Sequence, residues 1–256
     1  MKKEKQAGEK GKSDRGTLGV ESSRLCENVT PCVEEKNLNS NRRDREGAIA
    51  TKKLRVLNLY AGIGGNRKLW KDVEVTAVEK NPKIAAVYKK LHPLDQVIVG
   101  DAHQYLKENY EKFDFIWSSR PCQKHSRMMK FTRHNVADFP DMELYAEIIF
   151  LQHFFKGKWV VENVIPYYKP LIEPTKKIGR HLFWSNLKIE ATEINTPKEF
   201  IMLNNLEGKR KMMDWLGLHF TENIYYEGNH SPVQVLRNCV HPELGKQIFD
   251  CYETSI

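Results

Sequence analysis

Short apolar runs alternate with amphipathic stretches along the middle of the chain, and this alternation predicts an α/β sheet. Buried strands are predicted at residues 54–60, 73–78, 97–99, 113–119 and 159–161. Helical periodicity is present at residues 80–91, 102–109 and 142–155, and a helix-like run also follows the first strand as far as Trp70. Strands that alternate with helices in this way favour a parallel, doubly wound, Rossmann-like sheet.

The amino-terminal stretch lacks this pattern. Residues 1–50 mix Lys, Glu, Gly, Ser, Asn and Arg with few apolar side chains. Such a segment cannot offset the entropy of ordering, so we predict a disordered, basic and polar leader. The chain of 256 residues carries a net charge of +8, which favours a polyanionic partner but also fits a solvated basic surface.

Hydropathy and cysteine usage bear on the environment of the protein. The sequence has no apolar run long enough to span a bilayer and no signal-peptide pattern, so we expect a cytoplasmic protein without a membrane partner. Its five cysteines lack CxxC or zinc-ligand spacing. This predicts a reducing compartment, with neither disulfides nor a metal site.

Candidate ligand-binding residues follow the first three strands. Residues 61–65 form a glycine-rich turn, and glycine lets the backbone turn tightly and approach a ligand. Glu79 ends the second strand, where a carboxylate can accept a pair of ribose hydroxyls. Asp101 follows the third strand, where it can accept from an adenine amino group or cap the next helix, and both interpretations remain open.

Candidate reactive residues follow the next two strands. Pro121 breaks the fourth strand just before Cys122, which is either a nucleophile at the ligand-binding edge of the sheet or an inert buried thiol. Glu162 ends the fifth strand and can face the same site, with a structural acid as the alternative. The next stretch, residues 123–134, interleaves basic, thioether and aromatic side chains, as expected of a loop that contacts phosphates and bases. Its residues that could contact a nucleic acid are Gln123, Lys124, Ser126, Arg127, Lys130 and Arg133.

In their order along the chain, these motifs resemble those of the DNA (cytosine-5)-methyltransferases. The resemblance covers residues 54–250 and implies a class I S-adenosylmethionine-dependent methyltransferase fold. It adds Arg180, in the motif at 179–184, and Asn238, in the closing motif at 234–240. The implied cofactor-binding residues are Tyr60, Gly62, Gly64, Gly65, Glu79, Asp101, Pro121 and Asn238, and the implied catalytic residues are Cys122, Glu162 and Arg180.

The resemblance implies a covalent mechanism with S-adenosylmethionine as the cofactor. The Cys122 thiolate would add to carbon 6 of a flipped-out cytosine, which makes carbon 5 nucleophilic enough to accept the methyl group. Glu162 would hold the pyrimidine edge and help protonate ring nitrogen 3, with Arg180 steering the same edge. The loop after Cys122 would close over the flipped base in double-stranded DNA.

The chain departs from the family in its short recognition region. We predict a catalytic domain at residues 51–189 and 231–256, which leaves only residues 190–230 as a target-recognition insert. The basic patch at 207–211 places Lys209 and Arg210 among the candidate DNA-binding residues. Recognition must therefore be short or shared with another part of the chain or a partner chain, although a monomer is the expectation.

Arg120 is a second departure, because the residue before the Pro-Cys-Gln motif is usually apolar in this family. A buried guanidinium needs an anionic partner. Three are open: a DNA phosphate or neighbouring acid, the Cys122 thiolate, or the carboxylate of carboxy-S-adenosylmethionine, which would yield 5-carboxymethylcytosine.

Two further alternatives concern the substrate and the activity. An RNA cytosine methyltransferase and a non-catalytic DNA-binding relative both share the predicted fold. Retention of Cys122, Glu162 and Arg180 speaks against the binder, because pure binding needs none of them. A restriction-modification or phage setting is typical of the family.

Overall fold

A computed structural model describes residues 53–121, 140–201, 203–226 and 231–254. Within these residues one seven-stranded sheet forms the centre of the fold, with the strand order β3-β2-β1-β4-β5-β7-β6. Strands β1 to β5 are parallel, whereas β7 is antiparallel to both β5 and β6. The strands are β1 Leu54–Leu59, β2 Val73–Glu79, β3 Gln96–Val99, β4 Phe115–Ser119, β5 Lys158–Val164, β6 Lys176–Ile178 and β7 His181–Ser185.

Helices cover the sheet. The α-helices are α1 Pro82–Leu91, α2 Ala102–Asn109, α3 Met142–Phe154, α4 Leu206–Leu216, α5 Gln234–Arg237 and α6 Pro242–Glu253, and 3-10 turns lie at Tyr110–Lys112 and Lys198–Ile201. The predicted doubly wound α/β sheet is confirmed, and its five predicted strands and three of its predicted helices agree with β1 to β5 and α1 to α3 to within a few residues. The apolar centres of the parallel strands are fully buried, as their near-continuous hydrophobic runs require.

The helix predicted after the first strand is wrong. Residues between β1 and β2 form a series of turns, because their side chains are used in tertiary contacts rather than along a helix face. Arg67 makes a bidentate ion pair with the buried Asp95 at 2.9 Å, and Trp70 donates to the carbonyl of Gly245 at 3.1 Å. Helix α6 therefore packs against the segment between β1 and β2, where Trp70 stacks on Phe249.

Residues in the predicted recognition insert share a hydrophobic cluster with the sheet domain. The cluster joins Phe200, Met212, Leu218 and Ile224 to Ile84 of α1, among others. The proposed division into a catalytic domain and an insert stays a prediction, and the leader at 1–50 lies outside the described residues. No helix within the described residues is long and apolar enough to cross a membrane.

Candidate active site

A long cleft runs along the carboxyl ends of the parallel strands. It is lined on one side by Gly62, Glu79 and Asp101 and on the other by Glu162 and Arg180. Parallel strands bring their carboxyl ends to one edge, which is where open α/β sheets bind ligands. The cleft therefore brings together residues that the sequence assigned separately to a cofactor and to a base.

Glu79 and Gly62 form the floor of the cofactor side. Glu79 is 7% exposed, and its carboxylate accepts from the backbone N–H groups of Gly62 at 3.0 Å and Asn81 at 2.8 Å. Burial raises the pKa of Glu79, while these two hydrogen bonds oppose the rise. A carboxylate held in this way keeps acceptor capacity on both oxygens, which suits a pair of ribose hydroxyls.

The three glycines of the turn have different roles. Gly62 has φ +56° and faces the cleft, since the nearest atom to a Cβ at this position would be the Tyr226 hydroxyl at 3.7 Å. A Cβ on Gly64 would lie 2.3 Å from His92 Nε2, and one on Gly65 would lie 2.7 Å from the Val240 carbonyl. Gly64 is thus required for packing inside the protein, Gly65 lines the cleft but has no space for a side chain, and Gly62 is the one at which a Cβ would meet no close neighbour.

Asp101 and Asn238 lie at helix ends on the cleft wall. Asp101 caps α2 by accepting from the Gln104 N–H at 3.0 Å, so the capping interpretation holds for one of its carboxylate oxygens. Asn238 follows α5 and is exposed, and its side-chain oxygen accepts from Gln234 at 2.8 Å. Both residues line the cleft, so both remain candidates for cofactor contacts.

Glu162 on the base side is held by a neighbour that sequence analysis did not single out. Glu162 is 5% exposed, and one oxygen lies 2.6 Å from Nδ1 of His181, the first residue of β7. Arg180 Nε donates to His181 Nε2 at 3.3 Å, and because a guanidinium only donates, Nε2 must be unprotonated. His181 is therefore the Nδ1–H tautomer and donates to Glu162. Within the described residues, the second oxygen of Glu162 has no hydrogen-bond partner, so it is available for a further hydrogen bond.

Arg180 also reaches the closing motif. It lies in the tight β6–β7 connection after Gly179, whose φ is +55°, and its guanidinium donates to the backbone carbonyl of Arg237. Arg237 directly precedes Asn238. The structure therefore links the arginine motif and the closing motif at the cleft, although they are far apart in sequence.

Arg120 lies among acids. Its side chain is 10% exposed, and the guanidinium contacts Asp141 at 3.3 Å, Glu147 at 3.0 Å and also Glu143. It donates to the Tyr60 hydroxyl at 2.6 Å and lies over the Tyr60 ring. Of the partners considered for Arg120, the neighbouring acid is observed, whereas Cys122 lies outside the described residues.

Glu147 is the centre of this network, and sequence analysis missed it. Its carboxylate is fully buried and accepts from Tyr60, Arg120, Ser118 at 2.9 Å and His103 at 3.0 Å. Burial, followed by the adjacent Glu147 charge, raises the pKa of Tyr60, so the hydroxyl stays protonated as a donor. The available signal was an acid on the apolar face of α3, at the helical spacing of Leu144 and Leu151.

Other predicted site residues fall into two groups. Pro121 lines the cleft and Arg210 is exposed, but Lys209 is buried and donates to the Glu222 carbonyl at 2.8 Å. The expectation that Lys209 contacts DNA does not fit this position, because its ammonium is already used inside the protein. The remaining calls lie outside the described residues, namely Cys122, Gln123, Lys124, Ser126, Arg127, Lys130 and Arg133.

Cys239 is the thiol that the described residues place at the cleft. Its Sγ donates to the Val235 carbonyl at 3.4 Å, and burial raises the pKa of Cys239 to about 12. A thiol with this pKa stays protonated at neutral pH and is a poor nucleophile. Cys239 is therefore unsuited to act as a nucleophile.

The strand order and the position of the cleft define the Rossmann-like fold of class I methyltransferases. Residues 54–177, just under half of the chain, match the family model described as C-5 cytosine-specific DNA methylase. This match supports a cytosine methyltransferase. It also makes S-adenosylmethionine the cofactor, with Gly62 and Glu79 suited to hold it.

Solved structures also match over part of the chain. DNMT2 from Spodoptera frugiperda, in an E260A/E261A/K263A mutant, is 28% identical, with 44% of this chain and 36% of that chain covered and a TM-score of 0.32. A SAM-dependent methyltransferase from Agrobacterium tumefaciens is 15% identical, with 46% and 41% covered and a TM-score of 0.34. This chain thus spans less than half of either relative. A comparison with curated proteins gives no match.

Proposed function

We propose that the protein is a DNA cytosine-5 methyltransferase in which Cys122 is the nucleophile. The carrying observation is the register of β4 and β5, which places Ser119 beside Glu162. Cys122 comes three residues after the end of β4 in the sequence, so we infer that its thiol lies near the end of β4 and close to the Glu162 carboxylate of the neighbouring β5. The same cleft holds Gly62 and Glu79, so a base and a cofactor could meet there.

Each residue has a defined task in this reaction. The Cys122 thiolate adds to carbon 6 of the flipped cytosine, and the electrons of the 5,6 double bond move so that carbon 5 becomes nucleophilic. Glu162, protonated on its second oxygen, gives this proton to ring nitrogen 3 as negative charge develops there, while the N–H of His181 orients the first oxygen and stabilises the carboxylate that remains. S-adenosylmethionine, when bound, supplies an electrophilic methyl group. Loss of the carbon-5 proton to a base then lets Cys122 leave and restores the aromatic ring.

The contacts of Arg120 support methyl rather than carboxymethyl transfer. Four of its five N–H groups are directed at Tyr60, Asp141, Glu143 and Glu147. Three carboxylates around one guanidinium leave an excess of negative charge, which would repel a further carboxylate on the transferred carbon. Arg120 is therefore a poor binding site for carboxy-S-adenosylmethionine.

The test is mass spectrometry of nucleosides after incubation with duplex DNA of mixed sequence, tRNA and an equal mixture of S-adenosylmethionine and its carboxy form. We expect 5-methylcytosine in the DNA alone. Cys122→Ser should abolish it, whereas Cys251→Ser, which changes a buried thiol of α6, should retain it.

Each other outcome replaces the proposal. Modification confined to tRNA would make the protein an RNA cytosine methyltransferase. A dominant 5-carboxymethylcytosine product would make Arg120 the selector of the cofactor. Absence of any modified base with the wild-type chain would favour the non-catalytic DNA-binding relative.

A further inference from the structure

Residues 222–226, here called the 222–226 segment, lie within the region predicted to read DNA, yet they contact the cofactor side of the cleft. Asn223, Tyr225 and Tyr226 line the cleft together with Glu79 and Asn81. Their position raises the question of whether they bind the cofactor.

Apolar packing fixes the segment over α1. Ile224 within the segment and Phe220 just before it are 4% and 9% exposed. Both share a hydrophobic cluster with Ile84 and Val87 of α1, which are fully buried. Burial of two large side chains against a helix is enough to hold a short irregular segment in one place.

Lys209 of α4 holds the beginning of the segment. Its ammonium donates to the Glu222 carbonyl at 2.8 Å and lies 4.7 Å from the centre of the Phe220 ring. Glu222 itself pairs with Lys90 at the end of α1. Because the Lys209 ammonium is used in these contacts, it is not available to bind a DNA phosphate.

Tyr225 ties the segment to the residues that hold Glu79. Its backbone carbonyl accepts from Asn81 Nδ2 at 3.1 Å, and the Asn81 N–H donates to Glu79 at 2.8 Å. The Asn81 side-chain oxygen meanwhile caps α1. Asn81 therefore connects the segment to the carboxylate that suits the cofactor ribose.

Tyr226 brings a hydroxyl to the same place. The hydroxyl lies 3.7 Å from the position of a Cβ on Gly62, and Gly62 donates its N–H to Glu79 at 3.0 Å. It thus lies beside the glycine of the turn at which the cleft has the most space. A phenol there can donate to or accept from a ligand that rests on Gly62.

We propose that the 222–226 segment is part of the cofactor site and that the Tyr226 hydroxyl hydrogen-bonds to the adenosine half of the cofactor. This inference rests on the proposed function, because it assumes that the ligand at Glu79 is S-adenosylmethionine. It reassigns the end of the recognition region to cofactor binding and leaves still fewer residues to read the target.

The test is calorimetric titration of the full chain with S-adenosylhomocysteine and with 5′-methylthioadenosine, which lacks the amino-acid half. Tyr226→Phe should weaken both ligands by about threefold to tenfold, the loss expected for one hydrogen bond. Asn81→Ser keeps an oxygen that can cap α1 but removes the donor to Tyr225, so it should also weaken both. Tyr110→Phe makes the same chemical change away from the cleft and should leave both affinities unchanged.

The outcomes separate this inference from the proposed function. Wild-type affinity in both Tyr226→Phe and Asn81→Ser, with normal binding by the wild type, would overturn the inference and leave the methyltransferase intact. Weakening confined to S-adenosylhomocysteine would overturn the assignment to the adenosine half. No binding of either ligand by the wild-type chain would overturn the cofactor and the inference together.

Discussion

The buried carboxylate of Glu147 connects side chains from separate parts of the fold. Tyr60 follows β1, Ser118 lies in β4, Arg120 follows β4, and His103 lies in α2. A charge without solvent exposure is tolerated only with such partners. The network therefore holds the cofactor turn and the end of β4 in a fixed relation.

Arg120 and Glu147 should depend on each other for stability. Arg120→Met and Glu147→Leu should each lower the free energy of unfolding by about 3–5 kcal/mol, because each leaves a buried charge with fewer partners. The double variant should lose about 1–3 kcal/mol less than the sum of the two. Urea unfolding of all four proteins measures the coupling.

If the losses of unfolding free energy in the two single variants simply added in the double variant, Arg120 and Glu147 would not stabilise each other. The exposed pair of Lys169 and Glu173 is the matched control, since its side chains are 84% and 74% exposed. The corresponding double variant there should show much weaker coupling, as solvent screens exposed charges.

His181 should affect catalysis without affecting the cofactor. His181→Leu removes the donor to Glu162, and loss of a hydrogen bond to a charged group should lower kcat roughly tenfold to a hundredfold. His181→Asn can place an amide N–H near the position of Nδ1 and should recover part of the loss. The KM for S-adenosylmethionine should stay unchanged in both variants.

Steady-state methylation of duplex DNA at varied cofactor concentration gives both kcat and the cofactor KM. A rise in the cofactor KM at unchanged kcat would show that His181 contributes to cofactor binding rather than to the chemical step. Equal losses in the Leu and Asn variants would mean that packing, rather than the hydrogen bond, is what matters.

At the scale of elements, α6 depends on a neutral histidine. His241 caps α6 by accepting from the Glu243 N–H at Nδ1, at 3.2 Å, and its Nε2 lies 3.3 Å from the Trp215 carbonyl. Both bonds need the neutral Nε2–H tautomer. Burial lowers the pKa of His241, although the Trp215 carbonyl and Glu243 oppose this effect.

Stability should therefore fall as His241 becomes protonated. The unfolded chain binds this proton more tightly than the folded one, so the contribution of His241 is present above its unfolded pKa of about 6.5 and is lost as pH falls below it. His241→Asn keeps a capping oxygen and does not titrate. Its free energy of unfolding should change less than that of the wild type between about pH 7.5 and 5.5, as urea unfolding would show, and an equal change in both proteins would contradict the assignment.

For the whole molecule, cofactor binding should appear as thermal stabilisation. A ligand that binds only the folded state adds about 2.7 kcal/mol at one hundred times its Kd, which corresponds to roughly 5–10 °C in Tm for a domain of this size. S-adenosylhomocysteine should raise Tm by this amount in the wild type at that concentration. Glu79→Ala should largely lose the shift in the same thermal scan.

A shift that persists in Glu79→Ala would show that Glu79 does not hold the ligand. Asp114→Asn offers a control for charge, because this acid pairs with Arg55 away from the cleft. It should lower the starting Tm without removing the shift.

Local patterns determined much of the fold and the outline of the site. Near-continuous apolar runs require burial on both faces, which is why β1 to β5 could be read directly, and Asp101 before an amphipathic stretch marked the start of α2. The glycine turn, Glu79 and Glu162 each come at the carboxyl end of a predicted parallel strand, which also placed them at one edge of the sheet. These are properties of neighbouring residues and of chain connectivity.

Tertiary structure decided what depends on partners distant in sequence. The segment between β1 and β2 has no helix because Arg67 binds Asp95 and Trp70 binds Gly245. Both partners are distant in sequence, so the pattern of neighbouring residues could not predict these contacts. Lys209 lies in a basic run, yet its ammonium is buried beneath a carbonyl that only folding brings near. The sequence by itself determined the sheet and which strand ends carry chemistry, whereas folding determined the partners of Arg120, Glu162 and Lys209, because hydrogen bonds and charge pairs act across space rather than along the chain.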